Sequence, residues 1–257
     1  MRLTMTFKHF FIIVIVLNIC SCKQEKMQLT KITGEQISIS DSLEIDTDIE
    51  DFVKPYRDHV NKDLDSVIAY AVDTYSKRDG EFNTAIGNLF ADVVLEQSNI
   101  VFKQRTGQKI DMVFVNHGGI RAIISKGNVT TRTAYEIMPF ENSIVVVEMK
   151  GKTITDSLIR YLSKAKRAHP ISGLKLKLDA DFNVAEASIN DKPIEANKTY
   201  YVATNDYLYN GGDRMTFFKT NDSLYVLNYK VRSALLDYFK KVDTINPVID
   251  DRFIQLK

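Results

Sequence analysis

Cysteine is almost missing from this chain. Among 257 residues there are two, Cys20 and Cys22, both at the end of an apolar N-terminal stretch. Beyond residue 22 no disulfide, zinc–thiolate site or cysteine nucleophile can be built, so the rest of the chain depends on a hydrophobic core. It is long enough to form one. Tryptophan is absent, and the 12 Tyr and 14 Phe suit a core or a base-stacking surface equally well. An excess of one charge is also missing: 34 Lys and Arg stand against 33 Asp and Glu, a net +1. That balance excludes the basic footprint of a nucleic-acid-binding protein. At 44% hydrophobic and 26% charged the composition is that of a globular protein and too apolar for a disordered one. There is no internal repeat.

The N-terminus reads as a leader. Arg2 and Lys8 precede an apolar run from Phe10 to Ile19 broken at Asn18, too short to span a bilayer comfortably. Ser21-Cys22 then supplies a small residue immediately before a cysteine, which looks like the lipobox of bacterial lipoproteins, with Cys22 as the acylated first residue. A plain secretory signal is the alternative, but it leaves Cys22 as an odd thiol. The expected organisation is a signal peptide over 1–21, a polar tether over 22–45 and one domain over 46–257, lipid-anchored at the cell envelope.

Within the domain, apolar periodicity places the elements. Gln36 to Ser40 alternates as a short strand. Ile49, Phe52, Val53 and Tyr56 recur at helical spacing, broken or kinked at Pro55, and Val60, Leu64, Val67, Ile68 and Ala71 extend the stripe. A helix opens at Ile86-Gly87-Asn88-Leu89. Asp111 to Val115 and Ser143 to Met149 read as buried strands, Thr153 to Lys166 as an amphipathic helix, and Leu174, Leu176 and Leu178 as a half-buried strand. A turn at Asn190-Asp191, a strand at Tyr200 to Thr204 and a closing helix from Ser223 to Phe239 follow. Strands and helices interleave without a βαβ repeat, so the fold class is α+β: a single domain of mixed β-sheets flanked by helices.

Two glycine pairs stand beside polar side chains at strand ends. One is in Asn116-His117-Gly118-Gly119-Ile120-Arg121, the other in Asn205-Asp206-Tyr207-Leu208-Tyr209-Asn210-Gly211-Gly212-Asp213. Glycines there let the backbone approach a ligand, and an Arg two residues on can grip phosphate through its planar fork. Each residue also has a plainer role. A glycine pair can be a tight turn, Phe140 can be core, Arg121 can pair with a carboxylate, Asp213 can cap a helix, and Asn116 can bond a turn. Neither pair has dinucleotide-binding or P-loop spacing.

Taken in order, Gly87-Asn88-Leu89, Asn116-x-Gly-Gly-Ile-Arg121, Met138-Pro139-Phe140-Glu141-Asn142 and Asn205-x4-Asn210-Gly-Gly-Asp213 resemble the motifs of the C-terminal domain of 5′-nucleotidases and UDP-sugar hydrolases. The resemblance covers about residues 46–257. It implies that Arg121 binds a substrate phosphate and that Asn116 lies near the scissile phosphate. By the same resemblance the nucleobase sits between Phe140 and Tyr207 (Tyr209 is a neighbouring ring), Asp213 holds the ribose hydroxyls, and Gly118 and Gly119 allow close backbone approach.

Three positions depart from the family pattern. Gly80 stands where a second phosphate-binding Arg is usual, with Lys77 and Arg78 nearby but off register. Arg214 follows Gly-Gly-Asp where Gly is usual, either crowding the ribose site or adding an anion contact, and His117 replaces a small residue. Complete enzymes of this kind also carry a two-metal phosphatase domain, which needs Asp-x-His and Gly-Asn-His-acid motifs. The four histidines here, His9, His59, His117 and His169, form none of these. The expectation is a chain with no metal or cofactor of its own, inactive alone. It would serve as the nucleotide-recognition subunit of a split 5′-nucleotidase for nucleoside monophosphates, its separate metallophosphatase chain supplying two divalent metal ions. The alternatives are a free-standing nucleotide-binding lipoprotein and a degenerate structural module.

Overall fold

The computed structural model describes Ile12, residues 28–40 and residues 42–256. Cys22 and the rest of the leader lie outside the described residues. Residues 28–40 carry no helix or strand, so the expected strand at Gln36–Ser40 is not formed. Its Ser/Gln-rich alternation has no partner edge to complete a ladder.

A densely packed unit runs from Asp51 to Lys257. In chain order the elements are α1 (Thr47–Leu64), β1 (Val67–Ala71), α2 (Ala85–Thr106), β2 (Met112–Phe114), β3 (Gly127–Thr130), α3 (Thr131–Ile137) and β4 (Ser143–Lys150). A composite helix, α4, follows, made of Gly151–Thr153, a π-helical Ile154–Ile159 and Arg160–Ala165. Then come β5 (Ile171–Ser172), β6 (Leu174–Leu178), β7 (Val184–Ile189), β8 (Lys192–Pro193), β9 (Thr199–Asn205) and α5 (Asp206–Tyr209). The chain closes with β10 (Leu224–Lys230), α6 (Val231–Lys241), β11 (Thr244–Ile245) and β12 (Phe253–Gln255).

The strands form three sheets, in the orders β11-β1-β3, β10-β4-β9-β2-β5 and β12-β6-β7-β8. The five-stranded sheet is buried on both faces, which is why β2 and β4 read as near-continuous apolar runs. Val113, Ile144, Val146 and Ala203 face one core with residues of α2 and α6. Their neighbours Met112, Phe114, Val147 and Val202 face a second core with α4 and the alternating leucines of β6. Mixed sheets flanked by helices match the α+β expectation.

The Gly87-Asn88-Leu89 motif has a structural cause. Thr84 caps α2, its hydroxyl accepting from Gly87 N at 3.1 Å. A Cβ at Gly87 would meet that hydroxyl at 2.8 Å. Asn88 Nδ2 donates to Asn83 Oδ1 and to the Val248 carbonyl, each at 2.9 Å, tying the helix start to the C-terminal segment. Arg252, from that same segment, donates to both Asp92 and Asp250.

Two other expectations need correction. The stripe of Ile49, Phe52, Val53 and Tyr56 forms a helix that continues through Pro55, but α1 has no buried residue. Helical spacing alone does not provide a partner face; Phe52 and Tyr56 pack on each other, ring centroids 5.8 Å apart. The residues from Val67 to Ala71 leave the helix and form β1 instead. The expected closing helix from Ser223 divides into β10 and α6. Leu224, Tyr225 and Val226 pair antiparallel with Val147, Val146 and Val145, so an available sheet edge overrides the apolar spacing.

Candidate nucleotide-binding cleft

β2 and β9 run parallel at the centre of the five-stranded sheet, pairing Met112 with Val202. Their C-terminal ends therefore emerge on one side, and each releases one glycine-pair loop there. The first loop closes as a single turn, Gly119 N donating to Asn116 O at 3.0 Å. Asn116 is buried and its Nδ2 donates to Asp213 Oδ2 at 2.8 Å, joining the first loop to the second. Arg121 N is held by the Ile137 carbonyl at 2.9 Å. The Arg121 guanidinium is exposed, with its carbon 5.7 Å from the Phe140 ring centroid.

In the second loop Asn205 Oδ1 accepts from Leu208 N at 2.9 Å and caps α5. Leu208 is buried beneath this turn, which turns Tyr207 outward at 46% exposure. Tyr209 instead packs against the second core, so Tyr207 is the ring at the surface. Gly212 lies directly under that ring: a Cβ there would fall well inside contact distance of three Tyr207 ring atoms. Asp213 and Arg214 both adopt left-handed backbone, with φ of 50° and 64°. Tyr207 OH donates to Asp213 Oδ1 at 3.0 Å, and Tyr161 OH donates to the Asp213 carbonyl at 3.1 Å. The hydrogen bond to Asp213 raises the Tyr207 phenol above its ordinary pKa.

The Pro139-Phe140 loop is fixed by a residue that no sequence motif singled out. Arg232, buried near the start of α6, donates from Nη1 to the Met138 carbonyl at 3.1 Å and to the Phe140 carbonyl at 3.3 Å. It also pairs with Glu141 and stacks 4.2 Å from the Tyr135 ring centroid. Val231 N adds a bond to the Asn142 carbonyl at 3.0 Å. Phe140 is thus held at 41% exposure on a clamped loop rather than in the core.

All seven residues singled out from the sequence, Asn116, Gly118, Gly119, Arg121, Phe140, Tyr207 and Asp213, line one cleft of about 320 Å³, joined by Asn142. The departures noted above acquire a geometry. A side chain at Gly80 would collide with the Asn83 carbonyl, so position 80 cannot carry a cation. Lys77, three residues earlier, reaches the first loop, its Nζ donating to the Ile120 carbonyl at 2.8 Å. Partial burial, then the charges of Arg121 and Arg78, pull its pKa below the ordinary value. The motif register marks Gly80 as the vacant Arg position, and the folded path of 75–83 shows that Lys77 is the nearby cation that reaches the first loop. Among the described residues no three His, Cys, Asp or Glu side chains converge as a metal site.

The fold that carries this cleft is shared with a 5′-nucleotidase precursor from Thermus thermophilus. The match has a TM-score of 0.68 and 26% identity, covering 82% of this chain and 43% of that one. The family model of the 5′-nucleotidase C-terminal domain matches residues 64–220, and the chain belongs to that family. Similar proteins include the cell wall protein Lmo0130 of Listeria monocytogenes, 28% identical over 207 residues, 74% of this chain and 26% of that protein. A 5′-nucleotidase of Vibrio vulnificus is 26% identical over 189 residues, 70% of this chain and 32% of its own length. The chain spans less than half the length of each of these relatives.

Proposed function

We propose that the chain recognises nucleoside monophosphates and presents their phosphate to a metal-bearing phosphatase. The observation that carries this is the shared cleft: two rings nearly half exposed, Phe140 and Tyr207, open onto the same space as Arg121 and Asp213. Exposed aromatic rings on clamped backbone suit a base, because every base offers a π-face to stack. Asp213 accepts one bond on each carboxylate oxygen, from Asn116 and Tyr207, and a carboxylate has lone pairs left for ribose hydroxyls. Arg121, with Lys77 beside it, meets the phosphate. Hydrolysis then falls to two divalent metal ions on a separate metallophosphatase chain, with the remote binding energy of base and ribose orienting the phosphate for attack.

Lipidation at Cys22, outside the described residues, would hold this subunit at the cell envelope, a location that the cell wall relative supports by analogy. Among the described residues no helix is long and apolar enough to cross a membrane.

The test is AMP hydrolysis by this chain and a secreted metallophosphatase from the same cell, each alone and mixed, with a divalent metal. Activity only in the mixture, abolished by Arg121→Ala here, is expected. AMP binding that depends on Arg121 without hydrolysis in any mixture would leave a free-standing binding lipoprotein. No binding at millimolar AMP would leave the structural-module reading.

A further inference from the structure

Adjoining the aromatic cleft is a second cavity, about 690 Å³, which shares Gly118 and Asp213 with it. Its wall is cationic: Lys164 from α4, Arg167 from the loop after it, and Arg214, with His117 and His169 beside them. Among the described residues Lys164, Arg167 and Arg214 have no ion pair and no side-chain hydrogen bond. Three unneutralised cations thus face one carboxylate, Asp213, whose oxygens are already engaged by Asn116 and Tyr207.

We propose that this cavity is an anion subsite for a phosphate carried on the 2′ or 3′ oxygen of a nucleotide seated in the aromatic cleft. The inference rests on the reading of that cleft given above. Its direction follows from which residues are shared. Asp213, the ribose-binding group, lines both cavities, whereas Arg121 lines only the aromatic cleft. A substituent entering the second cavity therefore leaves from the ribose and not from the 5′-phosphate.

Two further observations agree. Arg214 holds a left-handed backbone at φ 64°, immediately after Asp213 at φ 50°, where glycine would be free of strain. A long cation retained at such a position calls for a gain elsewhere, and its place in the cavity wall supplies one. The cations of the wall also act on its two histidines, in addition to burial. Burial, and then the charges of Lys77 and Arg167, push the His117 pKa below its usual value. Burial, with His117 and Arg167 also contributing, brings His169 down to about 4.

The test compares binding of AMP, adenosine 2′,5′-bisphosphate and adenosine 3′,5′-bisphosphate to the full chain by titration calorimetry. One bisphosphate should bind at least about tenfold more tightly than AMP, the gain expected of a charge-assisted hydrogen bond, and which one identifies the oxygen. That advantage should vanish in Lys164→Ala/Arg167→Ala and in Arg214→Gly, while the double variant keeps wild-type affinity for AMP. Equal affinity for all three nucleotides, or an advantage that survives both variants, overturns the subsite and leaves the cleft untouched. Failure of AMP itself to bind would sink the cleft reading and this subsite with it.

Discussion

The two glycine-pair loops look alike in sequence and differ in what glycine does for them. In the first, no residue from Asn116 to Arg121 has positive φ, and a Cβ at Gly118 or Gly119 would meet only the Asn116 side chain, at 3.3 and 3.1 Å. In the second, Gly211 is left-handed at φ 94°, and Gly212 has no room for a Cβ because Tyr207 lies on it. The first loop needs glycine for openness towards the cleft, the second for its own construction. The same dipeptide thus answers a ligand's demand in one place and a neighbour's in the other.

The largest effect is expected from breaking the second loop. Gly212→Ala forces the Tyr207 ring off its seat and with it the hydroxyl that reaches Asp213. AMP affinity should fall by about a hundredfold or more, equivalent to losing a stacked ring and a charge-assisted hydrogen bond together. Binding that survives within a few-fold would mean Tyr207 is not a base platform. Next comes Asp213→Ala, which removes the acceptor for the buried Asn116 amide and so disconnects the two loops. It should lower stability by about 1–3 kcal/mol, the cost of an unsatisfied buried donor, as well as weakening binding. Chemical denaturation of the variant against wild type measures it.

Phe140→Ala tests the opposite wall. Loss of one stacking partner is expected to cost about 1–3 kcal/mol in AMP binding with little change in stability, since the ring is 41% exposed. Arg232→Ala should weaken AMP binding as well, by freeing the Met138 and Phe140 carbonyls, but here the melting temperature should fall too, because Arg232 is buried. The pair of measurements separates a ring that touches the ligand from a residue that positions it.

How much of this was readable beforehand depended on whether the cause was local. The strands β2, β4 and β6 were legible because both-sided burial and alternation write themselves into consecutive residues. The seven cleft residues were legible because they lie in short motifs of recognisable order. Lys77 was visible only as an off-register neighbour of Gly80: its arrival at Ile120 depends on the path of the turn before α2, and Gly80 has no room for a side chain. Arg232 was hidden for a related reason, lying more than ninety residues from the loop it clamps. The cationic cavity joins Lys164 and Arg167 at the end of α4 with the distant Arg214, so only Arg214 showed as a departure. The stripe of α1 erred the other way, since periodicity promises a face and not a partner.

A last effect appears only on acidification, and it falls on the first loop. His117 N donates to His169 Nδ1 at 3.2 Å, so the buried imidazole must be neutral to accept it. Burial lowers the His169 pKa to about 4 in the folded chain, against 6.5 for the free side chain. The unfolded chain therefore binds the proton first as pH falls. The stabilisation is complete above pH 6.5, declines at no more than about 1.4 kcal/mol per pH unit down to about pH 4, and is gone below it. The second loop has no such base; its anchor is the Asp213 carboxylate. His169→Gln, which keeps an acceptor that does not titrate, should flatten the decline in melting temperature between pH 6.5 and 4.5 relative to wild type. An unchanged slope would show that the first loop does not depend on a neutral His169.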